Sequence, residues 1–153
     1  LILNLDSNFF DNWVINGNSI LRLIHYQPIS DGSNILRARA HGDINLITLL
    51  VGAEESGLEV LNAEGEWIPI DAKSKSIVCN IGDMMQLVTR SHLKSTIHRV
   101  VDHNVNLSKS RYSMPFFLHP SPEIELCSIV DDSTESISAH DFLEERLKEI
   151  KLY

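Results

Sequence analysis

The 153 residues are enough for one domain with a sizeable core, and 43% hydrophobic with 22% charged residues is ordinary for a globular protein. Asp and Glu (21) outnumber Lys and Arg (13), so the formal net charge is −8, which argues against binding to nucleic acid or to an anionic membrane surface. No apolar run approaches a membrane span and no signal peptide is visible. Cys79 and Cys127 lie in apolar, strand-like runs, and two buried free thiols suit a reducing cytoplasm.

The chain opens in mid-pattern on three apolar residues without Met, so we expect a single domain over 1–153 that lacks an upstream N-terminal region. Residues 6–16 carry aromatic and apolar side chains between turn-like polar flanks, which predicts a short amphipathic helix. A strand is predicted over 20–26. Further strand-like runs follow at 44–51, 58–61, 66–70, 76–81, 96–101 and 112–118, with a hairpin signal at 62–65.

Two more helices are predicted in the second half of the chain. One is a short segment over 83–89, with Asp83 capping its first backbone N–H groups. The other spans 138–150, where Ser138 and Asp141 form an N-cap pair and Leu143 begins an apolar face that Leu147 and Ile150 continue. Many short strands closed by one helix indicate a mainly β protein, a sandwich or jelly roll. A TIM barrel or a doubly wound sheet would need helices between the strands, and the pattern has none there.

A candidate metal site begins with His41 and Asp43. Residues i and i+2 of a strand point to the same face, so one imidazole and one carboxylate can share a target. His98 lies in a later strand-like run, and two histidines with one carboxylate form the facial triad of non-haem Fe(II) oxygenases. Because the chain has seven histidines and His-X-Asp is a common tripeptide, chance explains these three residues alone better than a metal site does.

Arg111 and Ser113 provide a second signal, because they share one strand face in an otherwise apolar run that ends at residue 118. A buried arginine is costly unless it is paired. A guanidinium beside a hydroxyl is a good receptor for a carboxylate, through bidentate hydrogen bonds. The alternative is an internal salt bridge to a protein carboxylate.

Together with their neighbours, these residues resemble the isopenicillin N synthase-like family of 2-oxoglutarate/Fe(II)-dependent dioxygenases. The segments that carry the resemblance are 39–43 (Arg-Ala-His-Gly-Asp), 46–50, 57–60, 78–83, 94–100 (Lys-Ser-Thr-Ile-His-Arg-Val) and 111–117 (Arg-Tyr-Ser-Met-Pro-Phe-Phe). Their order matches the family pattern, and together they are far more specific than any one segment.

The resemblance implies a double-stranded β-helix, a cupin-like jelly roll, that holds Fe(II) through His41, Asp43 and His98. It implies that Arg111 and Ser113 bind the far carboxylate of 2-oxoglutarate and that Tyr26 also reaches this co-substrate. O₂ would then oxidise 2-oxoglutarate to succinate and CO₂ while a small organic substrate is hydroxylated. Cyclisation, desaturation or ethylene formation at the same iron site stays open, as does a non-catalytic cupin-like metal-binding module.

The sequence departs from the family pattern at two positions. Gly42 stands where many relatives carry Thr, on the side away from the metal, and Ile24 stands where plant relatives often carry an Asn that contacts the co-substrate. Three further residues are weighed for the site. Phe117 shares strand parity with Ser113 and either walls the active site or, as is usual for Phe, packs in the core. Asn80 is either a pocket residue or a strand-end hydrogen-bonding group, and His119 is expected to have a structural or rim role.

Overall fold

The computed structural model describes residues 3–28, 37–51, 57–71, 76–101 and 110–150. Among these residues are three helices, α1 (Asp11–Val14), α2 (Asp83–Val88) and α3 (Ala139–Glu149). The strands are β1 (Ile20–Leu21), β2 (Ile24–Tyr26), β3 (Ala38–His41), β4 (Ile47–Val51), β5 (Leu58–Leu61), β6 (Trp67–Pro69), β7 (Ile77–Ile81), β8 (His98–Val100), β9 (Arg111–Ser113), β10 (Pro115–Leu118), β11 (Glu125–Cys127) and β12 (Ser136–Ser138).

Two antiparallel sheets of four strands form the body of the domain. Their strand orders are β1-β10-β4-β7 and β3-β8-β5-β6, and two smaller antiparallel pairs, β2-β9 and β11-β12, complete the described strands. This is the mainly β jelly roll that the sequence predicts, with a short helix before the sheets and a longer one after them. No helix within the described ranges is long and apolar enough to cross a membrane.

The buried hydrophobic cluster lies at the helical end of the domain. Its most buried members come from α2, from β11, from α3 and from the start of the run into β4; they are Leu46, Met84, Met85, Val88, Leu126, Ala139 and Phe142. Burial of such side chains contributes roughly 1.5–3 kcal/mol each. Since this cluster holds α2 and α3 together, the space between the two sheets does not have to serve as the main core.

The long strands predicted over 20–26 and 112–118 are each divided in two. β1 pairs with β10, and β2 pairs with β9, so that Ile20 lies opposite Phe117 and Ile24 lies opposite Ser113. Both pairs follow one register, and the backbone N–H of Arg22 donates to the carbonyl of Pro115 at 3.0 Å between them. The ladder is interrupted there because proline has no N–H to donate in return.

Other element predictions need smaller corrections. The N-terminal helix is shorter than expected, and β3, β11 and β12 were not in the predicted series of strands. The cysteines are free, as expected, but Cys79 is exposed and Cys127 is only half-buried. Cys79 faces outward because it shares strand parity with Ile77, whose side chain is also exposed. An apolar run in the sequence therefore does not show that both faces of the strand are buried.

Candidate active site

His41 and His98 are neighbours across the β3-β8 pairing, where His41 lies opposite His98. Their ring centroids are 4.4 Å apart. β3 ends at His41, and Asp43 lies in the loop that follows. The prediction that His41 and Asp43 share a strand face is therefore wrong in its mechanism, because the loop, and not strand alternation, positions the carboxylate. The prediction that the three side chains lie together is nevertheless correct.

The three side chains bring their donor atoms to one place. Asp43 Oδ1 is 4.0 Å from His41 Nε2 and 3.8 Å from His98 Nε2. All three donor atoms lie within 4.8 Å of one another, which is close enough for the group to hold a metal ion. The side chains of Asp43 and His98 are 5% and 9% exposed, whereas that of His41 is 46% exposed. The cluster is thus buried on one side and open on the side of His41.

Each imidazole is oriented by a backbone carbonyl two residues earlier. His41 Nδ1 donates to the carbonyl of Arg39 at 2.6 Å, and His98 Nδ1 donates to the carbonyl of Thr96 at 3.2 Å. With the proton on Nδ1, the lone pair of Nε2 faces Asp43. Burial lowers the pKa of His98, with the neighbouring Asp43 opposing the shift and His41 adding to it. His98 is therefore neutral at pH 7, as metal ligation requires.

The loop that carries Asp43 is fixed by the start of α2. The backbone N–H of Asp83 donates to the carbonyl of Asp43 at 2.7 Å, and that of Met84 donates to the carbonyl of Ile44 at 3.1 Å. Asp83 was predicted to cap this helix with its side chain. Instead Gly82 is the N-cap residue and no side chain caps the helix, because backbone carbonyls of the loop take the first N–H groups.

The geometry fits a divalent cation. Asp43 Oδ2 is buried and has no hydrogen-bond partner among the described residues. A buried carboxylate oxygen without a partner is costly, and a bound cation would satisfy it. Two imidazoles and one carboxylate suit Fe(II) and leave coordination positions open for further ligands.

An inner cavity of about 290 Å³ lies between the two sheets and reaches the cluster. Leu50 and Asn80 line it from one sheet, and Leu58 and Val100 line it from the other. Tyr26 and Ser113, the expected co-substrate contacts, also line it, and so does Asn80, which places the amide in the pocket. Sequence reasoning missed Thr48, a buried residue of this lining whose hydroxyl donates to Asn45 Oδ1 at 3.3 Å.

Arg111 is placed beside this cavity. It is 6% exposed and lies opposite Tyr26 in the β2-β9 pairing, two positions from Ser113 on the same strand face. Within the described part of the chain, the lining of the inner cavity does not include Arg111. Its guanidinium lies against the backbone of Gly57, where a Cβ would come within 3.0 Å of Nη1. The side chain is thus buried next to Tyr26 and Ser113, two residues that line the cavity.

A larger, outer cavity of about 890 Å³ lies on the other side of the cluster. His41, Asp43, Arg22 and Phe117 line both cavities, so the two meet at the candidate metal site. Of the two alternatives for Phe117, a cavity wall and core packing, the structure shows the cavity wall. His119 lines the outer cavity only, and burial lowers its pKa while Asp43 opposes the shift.

Helix α3 forms one wall of the outer cavity. Leu143, Leu147 and Ile150, the apolar face found in the sequence, line it, and Arg146 lies among them. Ser138 caps the helix as predicted, accepting a hydrogen bond from the backbone N–H of Asp141. The apolar face was visible in the sequence. Its role was not, because a helix face that packs on a core and one that lines a cavity have the same sequence pattern.

A jelly roll with two histidines and a carboxylate at the meeting point of two cavities has the features of a mononuclear non-haem iron oxygenase. Residues 17–120 match the family described as the 2OG-Fe(II) oxygenase superfamily. The chain belongs to this superfamily.

Curated relatives and solved structures agree with that assignment. The chain is 45% identical over 103 residues to the 2-oxoglutarate-dependent dioxygenase citB of Monascus ruber, covering 63% of this chain and 30% of that protein. It is 35% identical over 127 residues to the 2-oxoglutarate-Fe(II) type oxidoreductase hxnY of Emericella nidulans, covering 80% and 36%. The chain thus spans only about a third of the curated relatives that it matches.

Two solved structures are similar over nearly the whole chain. A 2OG-Fe(II) oxygenase family protein from Caulobacter crescentus superposes with a TM-score of 0.87 at 47% identity, covering 97% of this chain and 51% of that one. A full-length Neurospora crassa protein, solved in complex with alpha-KG, superposes with a TM-score of 0.85 at 29% identity, covering 97% and 49%.

Proposed function

We propose that this chain carries the iron and 2-oxoglutarate sites of an oxygenase that oxidises a small organic molecule, most simply by hydroxylation, with release of succinate and CO₂. The observation that carries the proposal is the meeting of two cavities at three convergent donor atoms. Such an enzyme must hold a co-substrate and a substrate at the same metal, and one cavity is available for each.

His41, Asp43 and His98 are the proposed ligands. The Nδ1 hydrogen bonds leave both Nε2 atoms free to hold the metal, and the backbone bond from Asp83 holds the Asp43 loop in place. When bound, Fe(II) supplies the chemistry of the superfamily, in which O₂ oxidises 2-oxoglutarate and the substrate together. The protein residues orient both organic molecules and limit the access of water to them.

The inner cavity is the proposed 2-oxoglutarate site. Its volume is at the lower end for small-molecule sites, which suits a short dicarboxylate. Ser113 and Tyr26 line it, and buried Arg111 lies next to both on the same face of the β2-β9 pair. Arg111 and Ser113 would bind the carboxylate far from the metal, with Tyr26 as a further contact.

The outer cavity is the proposed site of the organic substrate. It is about three times larger, it opens on the exposed side of His41, and it has an apolar wall from α3. A small-molecule substrate, and not nucleic acid or a membrane, fits a cavity of this size and a net charge of −8. The two free cysteines support a reducing compartment such as the cytoplasm.

The test is anaerobic addition of Fe(II) and then 2-oxoglutarate, followed by the visible charge-transfer band of the iron complex. The wild-type chain should give the band, and His41→Ala and His98→Ala should bind neither metal nor co-substrate. Gly42→Ala is the matched control, because a Cβ there would meet only side-chain atoms, the nearest being Ser95 Oγ at 3.1 Å. Unchanged metal content in both histidine variants would refute the ligand assignment.

A further inference from the structure

The segment that leads into the inner cavity carries one cation among its cavity-lining residues. Ile20, Arg22, Ile24 and Tyr26 line the two cavities, whereas Leu21 and Leu23 face outward with 60% and 73% of their surface exposed. Antiparallel strands normally turn apolar side chains inward and polar ones outward. Here two leucines point outward, while Arg22 is an exposed residue that nevertheless lines both cavities, so packing does not explain the residue at position 22.

The position of Arg22 is fixed by the sheet. Its backbone N–H donates to the carbonyl of Pro115, while Ile20 pairs with Phe117 and Ile24 pairs with Ser113. Arg22 therefore lies at the junction of the cavities, between the substrate side and the co-substrate side. It is one of the few residues that line both cavities, and two of the others are proposed metal ligands.

The guanidinium of Arg22 has no counter-ion within the described ranges of the chain. No ion pair or side-chain hydrogen bond joins it to another described residue. The second arginine of the outer cavity differs, because Arg146 lies 2.7 Å from Glu149 and 3.8 Å from Asp83. Of these two cations, Arg22 is thus the one available to a ligand.

The remaining lining of the outer cavity defines the ligand further. Its apolar part comes from Ile20, Ile44, Phe117, Leu143 and Leu147, and its polar part includes Asp83 and Glu149, the two carboxylates beside Arg146. A guanidinium binds a carboxylate through two parallel hydrogen bonds. We infer that Arg22 is a specificity-determining residue that binds the carboxylate of the oxidised substrate, which is a small organic acid with an apolar body. This inference rests on the proposed function.

The experiment uses a matched pair of probes, 4-phenylbutanoate and 4-phenylbutanamide, which have the same apolar body and differ in charge. Each is titrated anaerobically into the chain loaded with Fe(II) and 2-oxoglutarate, and the perturbation of the charge-transfer band reports binding. The wild type should bind the acid about tenfold or more tightly than the amide, as expected for a charge-assisted hydrogen bond. Arg22→Gln should abolish this preference, and Arg22→Lys should keep part of it.

Leu23→Gln is the matched control, one position away on the outer face, and should bind both probes as the wild type does. All variants should keep the 2-oxoglutarate affinity of the wild type. Equal binding of acid and amide by the wild type, or binding of neither, would overturn the inference. A loss of 2-oxoglutarate affinity in Arg22→Gln would also overturn it and would assign Arg22 to the co-substrate. Failure of the proposed function would look different, because the wild type would not bind 2-oxoglutarate at all.

Discussion

Gly82 is the point at which α2 meets the loop that carries Asp43, and its replacement by alanine should weaken both the fold and the metal site. A Cβ at this position would lie 2.0 Å from the carbonyl oxygen of Asn45, whereas real Cβ contacts essentially never fall below 3.0 Å. The atom in the way is backbone, so the loop and the helix must separate. Inserting a group into a well-packed site costs roughly 1–3 kcal/mol, and we expect about 3 kcal/mol here.

The same displacement should reach the metal site, because the backbone N–H of Asp83, the next residue, holds the carbonyl of Asp43. Groups that orient metal ligands typically contribute roughly 10–100-fold to affinity, so metal binding should fall by at least about tenfold. Urea unfolding of the metal-free chain measures the first effect. Anaerobic titration with Fe(II) measures the second.

Gly65→Ala separates steric overlap from backbone strain. Gly65 has a φ of +81°, and a Cβ added there would meet nothing within 4 Å, so alanine costs only the left-handed conformation, roughly 1–2 kcal/mol. Gly82 has a φ of −96°, which any residue can adopt. If Gly82→Ala were no more destabilising than Gly65→Ala, or left metal affinity at the wild-type value, the coupling of α2 to Asp43 would be refuted.

Three further results are expected. Arg111→Lys should lower 2-oxoglutarate affinity about tenfold or more without loss of iron, because the planar fork is lost, and equal affinity would indicate a purely structural arginine. Ser138→Ala should cost about 1 kcal/mol in urea unfolding, since its hydroxyl accepts the N–H of Asp141 at 3.0 Å, and no change would argue against the cap. Burial lowers the pKa of His98 and His119 from 6.5, so the unfolded chain binds protons first as the pH falls. The metal-free chain should therefore lose stability as the pH falls below about 7, and it should lose less in His119→Asn, whereas a flat profile would contradict the burial argument.

The sequence predicted the strands best where apolar residues were dense and turns were close. Leu58–Leu61 was predicted with the observed bounds, and the run over 76–81 was one residue too long. β11 and β12 were missed because a strand of three residues is too short for alternation to be visible. The break in the 112–118 run depended on Pro115 pairing with Arg22, a contact that the local pattern does not contain.

The candidate site was predicted in part for a similar reason. His41, Asp43 and His98 were found from residue types that metal chemistry requires, although the loop that positions Asp43 was not foreseen. Arg22 and the cavity face of α3 were missed, because a surface arginine and a core-facing helix are the usual interpretations of those patterns. Only the placement of α3 beside the cavity that Asp43 also lines distinguishes a cavity face from a core-facing one.

The two imidazoles have a property that follows from the carbonyls that orient them. Arg39 and Thr96 provide main-chain oxygen atoms, so the protonation of Nδ1 depends on the path of the backbone and not on the side chain at either position. Many substitutions at residues 39 and 96 would therefore preserve the histidine tautomers. Evolution could alter the surroundings of the ligands, and with them the choice of substrate, while the nitrogen atoms offered to the metal stay the same.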